Sequence, residues 1–104
     1  MFCYHEEIEK EEFAPGILLQ RLGKGKRISA VHWDFKDGVA LETHQHPQEQ
    51  FGFIIKGSFE VSIGDETYLL KAGDAYFVPA NVPHKFVPVG DTEAIDVFTP
   101  VREP

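Results

Sequence analysis

The fold of this 104-residue chain turns on one stretch, Gly38-Val39-Ala40-Leu41-Glu42-Thr43-His44-Gln45-His46-Pro47-Gln48-Glu49-Gln50-Phe51-Gly52-Phe53-Ile54-Ile55-Lys56-Gly57. Glycines bracket it, Pro47 interrupts it, and two of its histidines stand two residues apart. In extended chain, residues i and i+2 share a face, so His44 and His46 project together and can reach one ion. Pro47 turns the chain, which lets the side chain of Gln50 come back toward the same point. His84, directly after Pro83, offers a third imidazole from a rigid segment. Three neutral nitrogens and one amide oxygen suit a borderline first-row divalent ion and leave positions for water or substrate. Neighbours on a strand face opposite ways, so if Gln50 points inward Glu49 does not. A bare His-x-His is equally compatible with surface or hydrogen-bonding histidines, which is the reading for His5 and His32, neither having a partner at ligand spacing.

Outward from this stretch, turn signals recur at Gly38, Pro47, Gly57, Gly64-Asp65, Gly73-Asp74, Pro79 to Pro83 and Gly90-Asp91, separated by segments of strand length. Period two dominates the segments. Val31, Trp33 and Phe35 share one side, with Ser29, His32 and Asp34 interleaved, and Phe59, Val61 and Ile63 line a face from which Glu60 and Ser62 point away. The spacing predicts a strand over Val39 to His44, and a hairpin turn at Gly64-Asp65-Glu66-Thr67 between Phe59 to Ile63 and Tyr68 to Lys71. Only His5 to Glu12 tolerates a helix, and its five acidic residues describe a solvated surface. The expectation is one all-β domain over residues 1–104, a sandwich or barrel. A chain this long buries roughly 60 to 70% of its unfolded surface, enough for one modest core.

Ten Lys and Arg against seventeen Asp and Glu leave a net charge of -7, which argues against binding nucleic acid or anionic membrane. No apolar run approaches the roughly 18 residues of a membrane span. Cys3, the single cysteine, is expected to be a free thiol, and the first ten residues have neither the basic start nor the apolar stretch of a signal peptide. A cytoplasmic location is the corresponding expectation.

The spacing of Gly38, His44, His46, Gln50 and Gly57, followed by Gly73, Pro79 and His84, resembles the two motifs of the cupin family, at about 38–57 and 73–88. The resemblance implies a double-stranded β-helix, or jelly roll, with one divalent transition metal (Ni, Zn, Fe or Mn) inside it. It also implies that the family's histidine ligands fall on His44, His46 and His84. There are departures: Gln50 stands where the family commonly has glutamate, Asn81 where glycine is common, and Pro88 where asparagine is common. Loss of the carboxylate leaves the ion more Lewis-acidic toward an anionic substrate.

In the tail Ala94-Ile95-Asp96-Val97-Phe98-Thr99-Pro100-Val101-Arg102, Asp96 interrupts an apolar strand on the face of Phe98. A buried carboxylate there must be paired or functional. The plainer alternatives are a solvent face or an ion pair with Arg102. Together with His-x-His-Pro-Gln-Glu-Gln-Phe and Gly-Asp-Ala-Tyr-Phe-Val-Pro-Ala-Asn-Val-Pro-His, this ending is similar to the small pectin-degradation cupins, from about Ile28 onward. That resemblance implies conversion of 4,5-unsaturated monouronates from pectin and alginate to open-chain keto acids. On it, the catalytic aspartate, the ring-contacting phenylalanine and the carboxylate-binding arginine fall on Asp96, Phe98 and Arg102. It also points to a homodimer, as do the sheet edges of a small sandwich. Two rivals use the same barrel: a non-catalytic module that binds or senses a small molecule, and a metal-dependent dioxygenase.

Overall fold

The computed structural model describes residues 1–104 and follows the period-two pattern closely. After a single 3-10 turn at His5–Glu7, ten strands run in order: β1 Glu11–Ala14, β2 Ile17–Lys24, β3 Ser29–Phe35, β4 Leu41–His44, β5 Glu49–Lys56, β6 Ser58–Ile63, β7 Glu66–Lys71, β8 Ala75–Val78, β9 His84–Pro88 and β10 Thr92–Thr99. They form two antiparallel sheets, β1-β2-β3-β10-β5-β8 and β4-β9-β6-β7, the all-β jelly-roll arrangement expected from the sequence.

The alternation places one row of side chains from each sheet in the space between them. Ile17, Leu19, Val31, Trp33, Phe35, Ile54, Tyr76, Val78, Ala94 and Phe98 come from the larger sheet, and Phe59, Val61 and Phe86 from the smaller. Edge-to-face packing of Phe35 on Phe59, centroids 5.0 Å apart, joins the sheets. Each such side chain, fully buried, contributes about 1.5–3 kcal/mol from removal of apolar surface. The interior is not uniform along its length. On β5 the inward residues pass from Gln50 through Gly52 to Ile54, on β9 from His84 to Phe86, and on β10 from Ala94 to Asp96 and Phe98. One end of the barrel is therefore apolar and carries the fold, while the other is lined with polar groups.

Several local expectations are refined. β7 begins at Glu66 rather than Tyr68, because Ser62 pairs with Thr67 and Ile63 with Glu66, leaving the two-residue turn Gly64-Asp65. Gly64 takes φ 58° at the first turn position, which a side chain resists. The acidic segment His5 to Glu12 is not a continuous helix but one short turn running into β1. Ser29 lies on the same face as Val31, as residues two apart must, and is buried. His32, on the opposite face, is buried too, because N-terminal residues cross the sheet there: Gln20 from β2 donates its side-chain amide to the carbonyls of His5 and Ile8 at 3.1 Å each. Cys3 is exposed and unpaired. No helix is long and apolar enough to cross a membrane.

Candidate functional site

His44 ends β4 and His84 begins β9, directly opposite each other in the register of the smaller sheet. Their ring centroids lie 4.2 Å apart. His46 is not on a strand, contrary to a simple extension of the His-x-His pattern. β4 stops at His44, and the following loop returns the His46 ring to within 5.8 Å of His44 and 4.8 Å of His84. That loop is tied by the amide of Asn81 donating to the His46 carbonyl at 2.8 Å. Asn81 has φ 62° and is the one non-glycine residue in the left-handed region, where asparagine is tolerated and glycine is the usual occupant. Gln50 enters from β5 in the facing sheet, buried, while Glu49 is exposed.

The three imidazoles share one hydrogen-bonding scheme. Nδ1 of His44 lies 2.8 Å from the Glu42 carbonyl, that of His84 2.8 Å from Val82, and that of His46 3.0 Å from Gln48. A carbonyl can only accept, so each Nδ1 carries a proton, and in the neutral ring Nε2 is left with its lone pair free. Burial lowers the pKa of His84 to about 4, and burial followed by the charge of Arg102 lowers that of His46. Both rings are thus neutral donors at physiological pH. One donor atom from each of His44, His46 and His84 lies within 4.8 Å of the others.

This donor set fits a divalent ion on its own chemistry. Nε2 of His84 is buried and meets no hydrogen-bond partner. Nε2 of His46 faces Oε1 of Gln50 at 3.1 Å. With the His46 proton on Nδ1, two lone pairs meet there, and a cation between them turns repulsion into coordination. Carbonyl acceptors behind each imidazole are the outer partners that hold a metal-binding histidine in one tautomer.

Asp96 and Phe98 lie on β10, opposite Gly52 and Gln50 of β5. Asp96 is 5% exposed and neither faces solvent nor pairs with Arg102. Its oxygens instead accept from Tyr76 Oη at 2.7 Å and Trp33 Nε1 at 2.9 Å. Burial raises its pKa to about 6, opposed by donation from Tyr76, Gln50 and Trp33. Neither Trp33 nor Tyr76 is legible as a partner of Asp96 from sequence, because each also satisfies the pattern of an apolar inward position.

A cavity of about 380 Å³ connects these groups, its wall including His44, His46, Gln50, Asp96, Phe98 and Arg102. Arg102 stands with its guanidinium 5.9 Å from the centre of the Phe98 ring and has no carboxylate partner. Its backbone is pinned to β3, where Ser29 Oγ donates to the Arg102 carbonyl at 2.9 Å and accepts from its amide at 3.0 Å. A second depression, of about 420 Å³, lies elsewhere on the surface and is bordered by charges of both signs, including Lys10, Asp34, Lys56 and Glu93. Of these charges Lys10 pairs with Asp34 at 3.3 Å, and Glu93 lies 3.1 Å from Nε2 of the neighbouring His32. His32 hydrogen-bonds to Glu93 but, contrary to the expectation from its spacing, also stands within ligand distance of Asp34 and Glu93, whereas His5 is exposed.

Comparison with known proteins agrees with this geometry. Residues 31–98 match the model of the Cupin domain family. The chain is 32% identical to the pectin degradation protein KdgF of Dickeya dadantii over 93% of its own length and 90% of that protein's. The solved structure of KdgF from Halomonas sp. superposes with a TM-score of 0.95 at 31% identity, covering 98% of this chain and 96% of that one. A polyketide synthase, CurC of Streptomyces cyaneus, is 36% identical over 61% of this chain, which spans only 42% of CurC. Fold, histidine grouping and matches over nearly the whole length thus converge, and the chain belongs to the cupin family as a homologue of the pectin degradation protein KdgF.

Proposed function

We propose that this protein converts 4,5-unsaturated monouronates to open-chain keto acids, with His44, His46, Gln50 and His84 holding one divalent transition metal. The observation that carries this reading is a cavity bordered by His44, His46 and Gln50, with His84 grouped behind the two histidines, and lined as well by a buried carboxylate and an unpaired arginine. An unsaturated monouronate is a cyclic hemiacetal whose ring oxygen is also an enol-ether oxygen, and it carries a carboxylate. Opening takes the proton from the anomeric hydroxyl, breaks the bond between the anomeric carbon and the ring oxygen, and leaves an aldehyde and an enolate. Protonation of the former alkene carbon next to the enolate then gives the ketone. The proton lost is matched by the proton gained, so the reaction is an isomerisation without oxidant or nucleotide.

Each step has a group suited to it. Asp96 accepts and returns the proton, as a carboxylate with a pKa near 6 is fitted to do. Arg102 clamps the substrate carboxylate through a two-pronged contact, and Phe98 supports the face of the sugar ring. A divalent ion bound here supplies Lewis-acid stabilisation of developing negative charge on oxygen. The test is incubation of the purified, metal-loaded protein with a panel of unsaturated monouronates, following loss of absorbance from the conjugated double bond. Absence of turnover across the panel, with metal bound, excludes the proposed reaction.

Arg102→Lys keeps the charge but loses the planar fork. KM is expected to rise by about tenfold while kcat changes little, the pattern of lost binding common to ground and transition states. An unchanged KM removes Arg102 from substrate anchoring.

We also propose a cytoplasmic homodimer. β5 and β8 present Phe51, Phe53, Ile55 and Phe77 outward, all more than 40% exposed, and register places Phe51 beside Phe77 at the edge of the larger sheet. A contiguous apolar face of this kind is commonly covered by a partner, and a two-fold contact would appose it to itself. Sedimentation is expected to give twice the chain mass at micromolar concentration and the single-chain mass for Phe53→Glu. A wild-type monomer refutes the pairing.

A further inference from the structure

Gly52 occupies a special place in the larger sheet. In the strand register it stands opposite Asp96 of β10 on one side and Tyr76 of β8 on the other, and all three face the interior. A Cβ on Gly52 would fall within the Tyr76 ring, against Cζ and Cε2, so the ring lies in the space that any other residue would fill. From that seat Tyr76 reaches across the full width of β5 and donates to Asp96 Oδ1 at 2.7 Å. Trp33 reaches from β3, on the other side of β10, and donates to Oδ2 at 2.9 Å. Each oxygen of the carboxylate takes one of these two donors, beside the Gln50 side chain that also donates to it.

Tyr76 does not itself border the cavity, whereas Asp96 does. The Tyr76 ring packs against Phe86, centroids 5.0 Å apart, in surroundings that phenylalanine would satisfy equally well. A hydroxyl at such a position is unfavourable unless it is hydrogen-bonded, and the only side-chain hydrogen bond it makes is to Asp96. We propose that Tyr76, seated in the notch left by Gly52, is a positioning residue that fixes the direction in which the Asp96 carboxylate faces the cavity. This rests on the reading of Asp96 as the group that moves the proton.

The test compares wild type, Tyr76→Phe, Gly52→Ala and the double variant. In crystals of Tyr76→Phe, the Asp96 carboxylate is expected to rotate from its wild-type orientation or to occupy more than one. With unsaturated monouronate, kcat is expected to fall about 10- to 100-fold, as for loss of a hydrogen bond to a charged group, with KM within about twofold and metal content unchanged. Gly52→Ala displaces the ring and should lower kcat similarly. The double variant should lose no more kcat than the worse single one, because both act through one hydrogen bond, although their losses in Tm accumulate. A purely structural role would move Tm alone. Wild-type kcat and an unmoved Asp96 in Tyr76→Phe overturn the inference and leave the proposed reaction standing. A wild type inert toward every monouronate overturns the proposed reaction instead, and the orientation of Asp96 in Tyr76→Phe still decides whether Tyr76 positions it.

Discussion

Replacing His46 by alanine is expected to abolish stoichiometric metal binding and, with it, turnover, while the barrel stays folded. His46 offers Nε2 toward Gln50 Oε1 at 3.1 Å and sits beside His84, so its loss removes one of four converging donors and opens the site to water. Loss of a direct ligand should weaken affinity by more than the roughly 10- to 100-fold that follows loss of an outer-shell partner. The fold is insulated from this change because His46 lies in a loop and the apolar core does not include it. Two measurements check this. Metal analysis after dialysis should give about one ion per wild-type chain and almost none for the variant. Added metal should raise the Tm of wild type through mass action, by an amount equivalent to about 2.7 kcal/mol at a hundred times Kd, and should leave the variant unmoved. Full occupancy in His46→Ala would mean that the ion is held elsewhere.

What the sequence discloses and what it conceals follow a physical division. The period of two is local, and it places Val31, Trp33, Phe35, Phe59 and Val61 in the core, where they are found. Turn chemistry is local too, so the Gly64-Asp65 turn is announced by residue type, whereas the left-handed backbone of Asn81 is apparent only in the structure. Of the metal-ligand candidates, His44, His46 and Gln50 are tied together by the local turn at Pro47, whereas His84 is carried to them by the pairing of β9 with β4, and its assignment rests on the resemblance to the second cupin motif. The partners of Asp96 are different. Tyr76 and Trp33 come to it from separate strands, 20 and 63 residues away along the chain, and the contact depends on strand order in the sheet. Gly52 is concealed for the same reason: within its own segment it interrupts an apolar run, and only the neighbouring strand reveals what fills the space. His32 marks another limit. An alternating pattern assigns it to solvent, but N-terminal residues cross its face, which no periodicity within β3 can report.

Asp96→Asn is expected to lower kcat by about 10²- to 10⁴-fold with metal content unchanged, the range covered by a positioned proton-transfer group. Asparagine preserves the shape of the side chain and leaves an oxygen for the Trp33 or Tyr76 donor, so the interior does not collapse around a void. It removes the capacity to take up and return a proton and turns one acceptor into an NH2 donor, for which the Tyr76 hydroxyl can serve as acceptor while Trp33 keeps the oxygen. Asp96 is also outside the set of converging nitrogens and the Gln50 oxygen, which is why the ion should remain. The comparison with His46→Ala is informative because the two variants fail differently, one retaining metal without turnover and the other losing both. It also separates the enzymatic reading from a binding module. A module that merely holds an anionic sugar has use for Arg102 in the cavity wall but none for a buried carboxylate beside the ligand set, where ionisation is opposed by burial. Substrate binding by Asp96→Asn at near wild-type affinity, with slow turnover, would place Asp96 on the chemical step. Turnover of unsaturated monouronate by Asp96→Asn at the wild-type rate would remove Asp96 from proton transfer.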